Sequence, residues 1–110
     1  MIIDFDNIKD CVFDGFKGGH GILTMRSFAD SVCKIMYHRL EPGAALGLHK
    51  HENNCEIIIM RKGEATVHCD GEIEKLREGQ VHYCQRGHSH YIENNTKEEI
   101  QYLAIVVELV

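Results

Sequence analysis

Several things are missing from this 110-residue chain, and each absence removes a class of function. It has no cluster of Lys or Arg, and its net charge is −5, so a nucleic-acid backbone or an anionic membrane surface is a poor partner. No apolar run is long enough to span a bilayer, and the opening MIIDFDNIKD carries acids where a signal peptide needs a basic flank; a cytoplasmic location is the expectation. The five cysteines, Cys11, Cys33, Cys55, Cys69 and Cys84, are an odd number with no Cys-x-x-Cys pair. A disulfide framework or a thiolate zinc site is not expected from that spacing, and reduced, mostly buried thiols are. There is one proline and no low-complexity tract, and no segment sustains a helical period. A helix-turn-helix sensor fused to the domain is therefore not expected.

What remains is strand. ILTMRSF, CKIMYHRL, CEIIIMRKG, EATVHCD, QVHYC, HYIEN and EIQYLAIVVELV are rich in Ile, Val, Tyr and Thr, and turn residues separate most of them. Cys69-Asp70-Gly71-Glu72 predicts a tight hairpin, because Asp-Gly suits a two-residue turn with positive φ. Only Asp6 to Phe13 could hold a helical turn, and the glycine-rich FDGFKGGHG reads as a connecting loop with His20 in solvent. Many short strands at near-even spacing predict one all-β domain over residues 1–110, a sandwich or a closed antiparallel barrel.

The chemistry concentrates between Gly43 and Gly63, GAALGLHKHENNCEIIIMRKG. His49 and His51 are two apart, so on a strand they leave the same face ~6–7 Å apart. If Glu52-Asn53-Asn54 is a turn, Glu56 folds back beside them, and two imidazoles with a carboxylate suit a borderline divalent transition metal. A further donor, His90, follows the turn Gln85-Arg86-Gly87 on a strand that could aim at the same point.

Two stretches carry a resemblance. Gly43-x5-His49-x-His51-x4-Glu56-x6-Gly63 resembles the first motif of the cupin superfamily, and Gly79-x5-Gln85-x-Gly87-x2-His90-x3-Asn94 resembles the second. Gln85 departs from the family's usual proline, at a position that shapes the turn. The short stretch between Gly63 and Gly79 is similar to that of the smallest single-domain bacterial cupins. The resemblance implies a double-stranded β-helix (jelly-roll) barrel in which His49, His51, Glu56 and His90 ligate one divalent metal, with Mn, Fe, Ni, Co and Zn all allowed.

It also implies a choice of functions, since the superfamily includes oxalate-processing enzymes, acireductone-type dioxygenases, sugar-phosphate isomerases, sugar sensors and seed storage proteins. The expectation is a metal-dependent enzyme of isomerase or lyase type acting on a small oxygen-rich metabolite, a sugar or a carboxylate, chelated to the metal. A dioxygenase and a non-catalytic metal-dependent binding protein are the alternatives.

Four further residues are candidates for holding a substrate. Tyr37 and Arg39 share a strand face and could anchor a carboxylate or phosphate, His88 shares a face with His90, and His82 lies in QVHYC, whose inward face is open. His38 and His68 fall on strands where alternation is equally compatible with a solvated face. The last strand is apolar on both faces, with Ile100, Tyr102, Ala104 and Val106 on one and Leu103, Ile105 and Val107 on the other. Its second face needs a cover, and a homodimer is expected.

Overall fold

The computed structural model describes residues 1–109, and its regular structure is almost wholly strand. In chain order these are β1 (Cys11–Asp14), β2 (Ile22–Ala29), β3 (Cys33–Leu40), β4 (His49–Lys50), β5 (Asn54–Lys62), β6 (Ala65–Cys69), β7 (Glu72–Leu76), β8 (Val81–Cys84), β9 (Ser89–Glu93) and β10 (Ile100–Glu108). Two antiparallel sheets face each other: six strands in the order β1-β2-β3-β10-β5-β8, and four in the order β4-β9-β6-β7. Of the sandwich and the closed barrel that the strand pattern allowed, they make the sandwich, in the jelly-roll form implied by the cupin resemblance and without one hydrogen-bonded ring around the whole. Of the stretch Asp6 to Phe13, read as able to hold a helical turn, only the start is helical, in a 3-10 turn at Phe5–Asn7, and residues 11–13 lie in β1 instead; a second 3-10 turn, Phe16–Gly18, interrupts the glycine-rich loop.

Side-chain alternation makes the core. On β10, Ile100, Tyr102, Ala104 and Val106 are buried between the sheets, with Leu40, Ile58 and Met60 from neighbouring strands and Val67 and Ile92 from the facing sheet. Each fully buried Leu or Ile contributes about 1.5–3 kcal/mol relative to exposure. The other face of β10 is half-buried, and register sets Ile105 between Ile35 and Ile57, and Leu103 between Tyr37 and Ile59.

Two turns follow directly from residue type. Asp70 (φ 51°) and Gly71 (φ 83°) form the two-residue hairpin between β6 and β7, as Asp-Gly predicts. In the loop before β2, a Cβ on Gly19 would lie 2.0 Å from the Ala45 carbonyl oxygen, and one on Gly47 would lie 1.8 Å from the Lys17 carbonyl oxygen. Only glycine lets these two segments touch, and their contact holds Phe16 and Lys17 beside the segment that leads into β4.

Candidate metal centre

Register brings the four sequence-predicted donors together. His49 on β4 pairs directly opposite His90 on β9, so their side chains are neighbours on the inner face of the small sheet. Glu56 reaches the same point from β5 in the facing sheet, and residues 51–53 make the turn that brings it back. The two motifs are tied by backbone bonds: His51 N–H donates to the His88 carbonyl (3.0 Å) and Gly87 N–H to the His51 carbonyl (2.7 Å). Asn94, fully buried, fixes the end of the second motif by donating to the Leu40 and Glu98 carbonyls while accepting from the Thr96 backbone and hydroxyl.

The ring nitrogens say what the centre wants. His49 Nδ1 lies 2.8 Å from the Gly47 carbonyl and His51 Nδ1 lies 2.6 Å from Asn54 Oδ1, so each neutral ring carries its proton there and turns a lone pair on Nε2 inward. His90 Nδ1 faces His82 Nε2 at 2.9 Å. Three Nε2 atoms and one carboxylate oxygen thus converge. His90 Nε2 is 3.0 Å from the Nε2 of both His49 and His51, and Glu56 Oε1 is 2.8 Å from His90, 3.2 Å from His51 and 3.7 Å from His49.

Donor atoms held at right angles ~2.1 Å from one ion would be ~3.0 Å apart, so the spacing fits a single small divalent cation. Without a cation, inward lone pairs around a buried carboxylate repel one another. The titration behaviour agrees. Burial pushes the Glu56 carboxyl up, but its contacts with His49, His51 and His90 outweigh that and hold it well below the usual carboxylate range. Glu56, with Asn54 adding, raises the His51 pKa against the opposing effect of burial. The donors also match the preference of transition metals for imidazole and carboxylate.

Next to the four donors lies a cavity of about 350 Å³ between the sheets. Phe16, Met25, Met36, Leu46 and Val106 give it apolar walls, and Lys17, Lys34 and Lys50 add positive charge. None of the three lysines takes part in an ion pair among the described residues.

His38 also lines this cavity, and sequence reasoning missed it. It is 2% exposed, its Nδ1 is 3.0 Å from the Tyr102 hydroxyl, and its Nε2 has no partner. Burial pushes its pKa down to about 4, so the ring is neutral near pH 7. The available signal was parity, since His38 alternates in step with Met36 and Leu40.

The other substrate candidates fall elsewhere. Tyr37 and Arg39 lie on the opposite face of β3 from His38 and do not reach the centre. Tyr37 Oη donates to Gln101 Oε1 (2.5 Å), and Arg39 Nη2 bonds Asp10 Oδ2 (2.9 Å) in a surface pocket with Phe5 and Arg26. His88 is half-exposed and pairs with Asp70 on the β6–β7 hairpin. His82 does point inward, but at His90 and away from the cavity. Of the weaker histidines, His68 stacks on Tyr91 with ring centroids 4.1 Å apart.

The cysteine reading needs one correction. All five thiols are free, but only Cys55 and Cys84 are buried, and Cys11 is exposed. Cys69 and Cys84, widely separated in sequence, meet beside His82 because β6 and β8 carry them to the same end of the sandwich.

With this geometry in view, comparison with known proteins is decisive. The "Cupin domain" family matches residues 36–106. The chain belongs to the cupin family. Among relatives of this cupin, an "oxalate-binding protein" of Thermotoga maritima is 37% identical over 115 residues, covering 99% of this chain and 95% of that protein. The crystal structure of a "predicted oxalate decarboxylase" from Thermotoga maritima superposes with a TM-score of 0.93 at 28% identity, covering 99% of this chain and all of that one. A cupin described as a sugar phosphate isomerase, from Silicibacter pomeroyi, has a TM-score of 0.79 at 20% identity, covering 98% of this chain and 76% of that one, and shows the fold alone. Among the described residues no helix is long and apolar enough to cross a membrane.

Proposed function

We propose that this cupin captures a small carboxylate, with oxalate as the type, on a divalent metal held by His49, His51, Glu56 and His90. The observation that carries the reading is the cavity itself: three of the four donors, His49, His51 and Glu56, form part of its wall, and three lysines that pair with no carboxylate among the described residues line it. The name of the 37%-identical relative supports the ligand class. When bound, the metal would supply positive charge and Lewis acidity to two carboxylate oxygens.

The chain's own residues do the rest. The apolar walls exclude water, which strengthens the attraction between lysine and carboxylate. Lys17 is close enough to lower the proton affinity of His51 through its charge. His38, neutral and with Nε2 unpartnered, adds a polar ring to the cavity wall.

The proton inventory favours capture over turnover. His38 binds a proton only below about pH 4, and burial holds the Tyr102 hydroxyl well above its ordinary range, so neither is a ready acid near neutrality. A lyase reading, in which oxalate and one proton give formate and carbon dioxide, requires a donor at the cavity, a role open to the three lysines that line it.

Calorimetric titration of oxalate into manganese-loaded and chelator-treated protein tests the reading. We expect binding only with metal, and loss of both metal and oxalate in His49→Ala. Equal oxalate binding by the metal-free protein would overturn it. Formate release under argon would add the lyase reaction, and net oxygen uptake would replace it with the dioxygenase reading.

We further propose that a second copy covers the half-buried row Ile35, Ile105, Ile57 and Tyr37, Leu103, Ile59 on the outer face of the six-stranded sheet. Light scattering should give twice the chain mass, and a monomer at micromolar concentration removes the claim.

A further inference from the structure

The strand that carries each half of the metal centre has a further neighbour, and those neighbours make a second set of donors. On β9, His90 pairs with His49 on one side and with Cys69 of β6 on the other. In the facing sheet, Glu56 of β5 pairs with Cys84 of β8. His82, two residues before Cys84, shares its face of β8. One step across both sheets from the first centre, two thiols and an imidazole therefore face one another. The donor atoms of Cys69, His82 and Cys84 all lie within 4.8 Å of one another.

The surroundings suit a cation. The two outermost strands, β7 of the small sheet and β8 of the large one, flank an open cleft of about 830 Å³, and Cys69 and His82 line it. Asp70, Glu72 and Glu74 line it too, against one ammonium, Lys75, which donates to Thr66 Oγ1. An approaching cation thus meets a mainly negative entrance and then soft donors. Cys84 is fully buried and its thiol lies only 3.7 Å from the His88 carbonyl, a weak bond that a metal–sulfur bond would replace.

We propose that Cys69, His82 and Cys84 form a second metal site, for a thiophilic d10 cation such as zinc, distinct from the three-histidine, one-glutamate centre. Two thiolates and one neutral imidazole satisfy three positions of a tetrahedral ion and leave the fourth for water or a small ligand from the cleft. The charge balances: the two thiols release two protons to solvent as one divalent cation enters. The donors, all within 4.8 Å of one another, are already near the ~3.8 Å expected between sulfurs on one zinc ion. With its own Nε2 turned to the first centre, His90 carries its proton on Nδ1, so the one lone pair of neutral His82 serves either His90 or the second cation, and filling the second site breaks that hydrogen bond.

Cadmium titration under argon with the thiols kept reduced tests the site, because cadmium–thiolate bonds give an ultraviolet charge-transfer band that nitrogen and oxygen donors do not. The probe is the metal alone. In a His49→Ala, His51→Ala background we expect one equivalent of cadmium to bind with a full thiolate band. Cys69→Ser with Cys84→Ser should lose that band entirely while keeping one equivalent at the other centre. His82 is left intact in both, since its replacement would also disturb His90.

A band that survives the double serine variant would assign the thiolates to other cysteines and overturn the proposal, as would no band in the unmutated protein. Should the serine variant fail to fold, alkylation of the unmutated protein decides. Saturating cadmium should slow modification of Cys69 at least tenfold and leave exposed Cys11 unchanged, and equal rates at Cys69 would overturn the site.

Discussion

The two faces of β3 hold similar residue types and do opposite things. Inward, His38 is buried without a full set of partners, beside a cavity whose lysines form no ion pair among the described residues. Outward, Tyr37 and Arg39 are matched by Gln101 and Asp10, and Arg26 shares Asp10 at 2.7 Å. The outer groups have already spent their interactions on one another, so a ligand arriving there would have to break bonds before making any. The inner groups carry unmet demand. Unsatisfied polar capacity inside a cavity marks a binding site better than the presence of an arginine and a tyrosine.

The largest expected contrast between the faces is in stability against pH. His38 has a folded pKa of about 4 against an ordinary value of 6.5, because burial disfavours its charged form. Between those values the unfolded chain binds more protons than the folded one, so stability rises with pH there. The His38 contribution is fully present above about pH 6.5 and is lost as pH falls toward 4, a total of about 3 kcal/mol at 1.36 kcal/mol per unit. Urea denaturation at stepped pH should show this slope, and His38→Gln, which keeps a polar group but does not titrate, should flatten it. Identical slopes in the two proteins would mean that His38 is not buried as described.

That contrast was only partly legible in the sequence. The cluster of four candidate donors was, because His49, His51, Glu56 and His90 fall at spacings that few other constraints produce, and the strand pattern narrowed the fold to a sandwich or a closed barrel. Alternation also put Tyr37 with Arg39 and His38 with Met36, but period two says which residues share a face and not which face is inside. Lys34 on the inward parity and Arg39 on the outward one gave no net signal. The cysteines failed for a different reason. Cys69 and Cys84 meet through pairings of β6 with β9 and β8 with β5, and no local pattern encodes which strand neighbours which. The loop read as a plain connection is more than that, since Gly19 and Gly47 press it against the cavity and bring Lys17 with it.

The smaller contrast is in ligand affinity, and it pits Lys17 against Arg39. An unpaired ammonium at the edge of a partly desolvated cavity is worth roughly 1 kcal/mol toward an anion, so Lys17→Ala should weaken oxalate binding by about fivefold in the metal-loaded protein. Arg39 bonds an aspartate that also bonds Arg26, its side chain is 32% exposed, and it lies across the sheet from the cavity. Arg39→Ala should therefore leave oxalate affinity within twofold of the original and lower stability by no more than about 1 kcal/mol, the usual scale of a surface ion pair. Calorimetry on the two variants side by side reads both effects. A loss at Arg39 equal to that at Lys17 would mean that the anion is held on the outer face, where charge is already neutralised, and the argument from unmet polar capacity would fail.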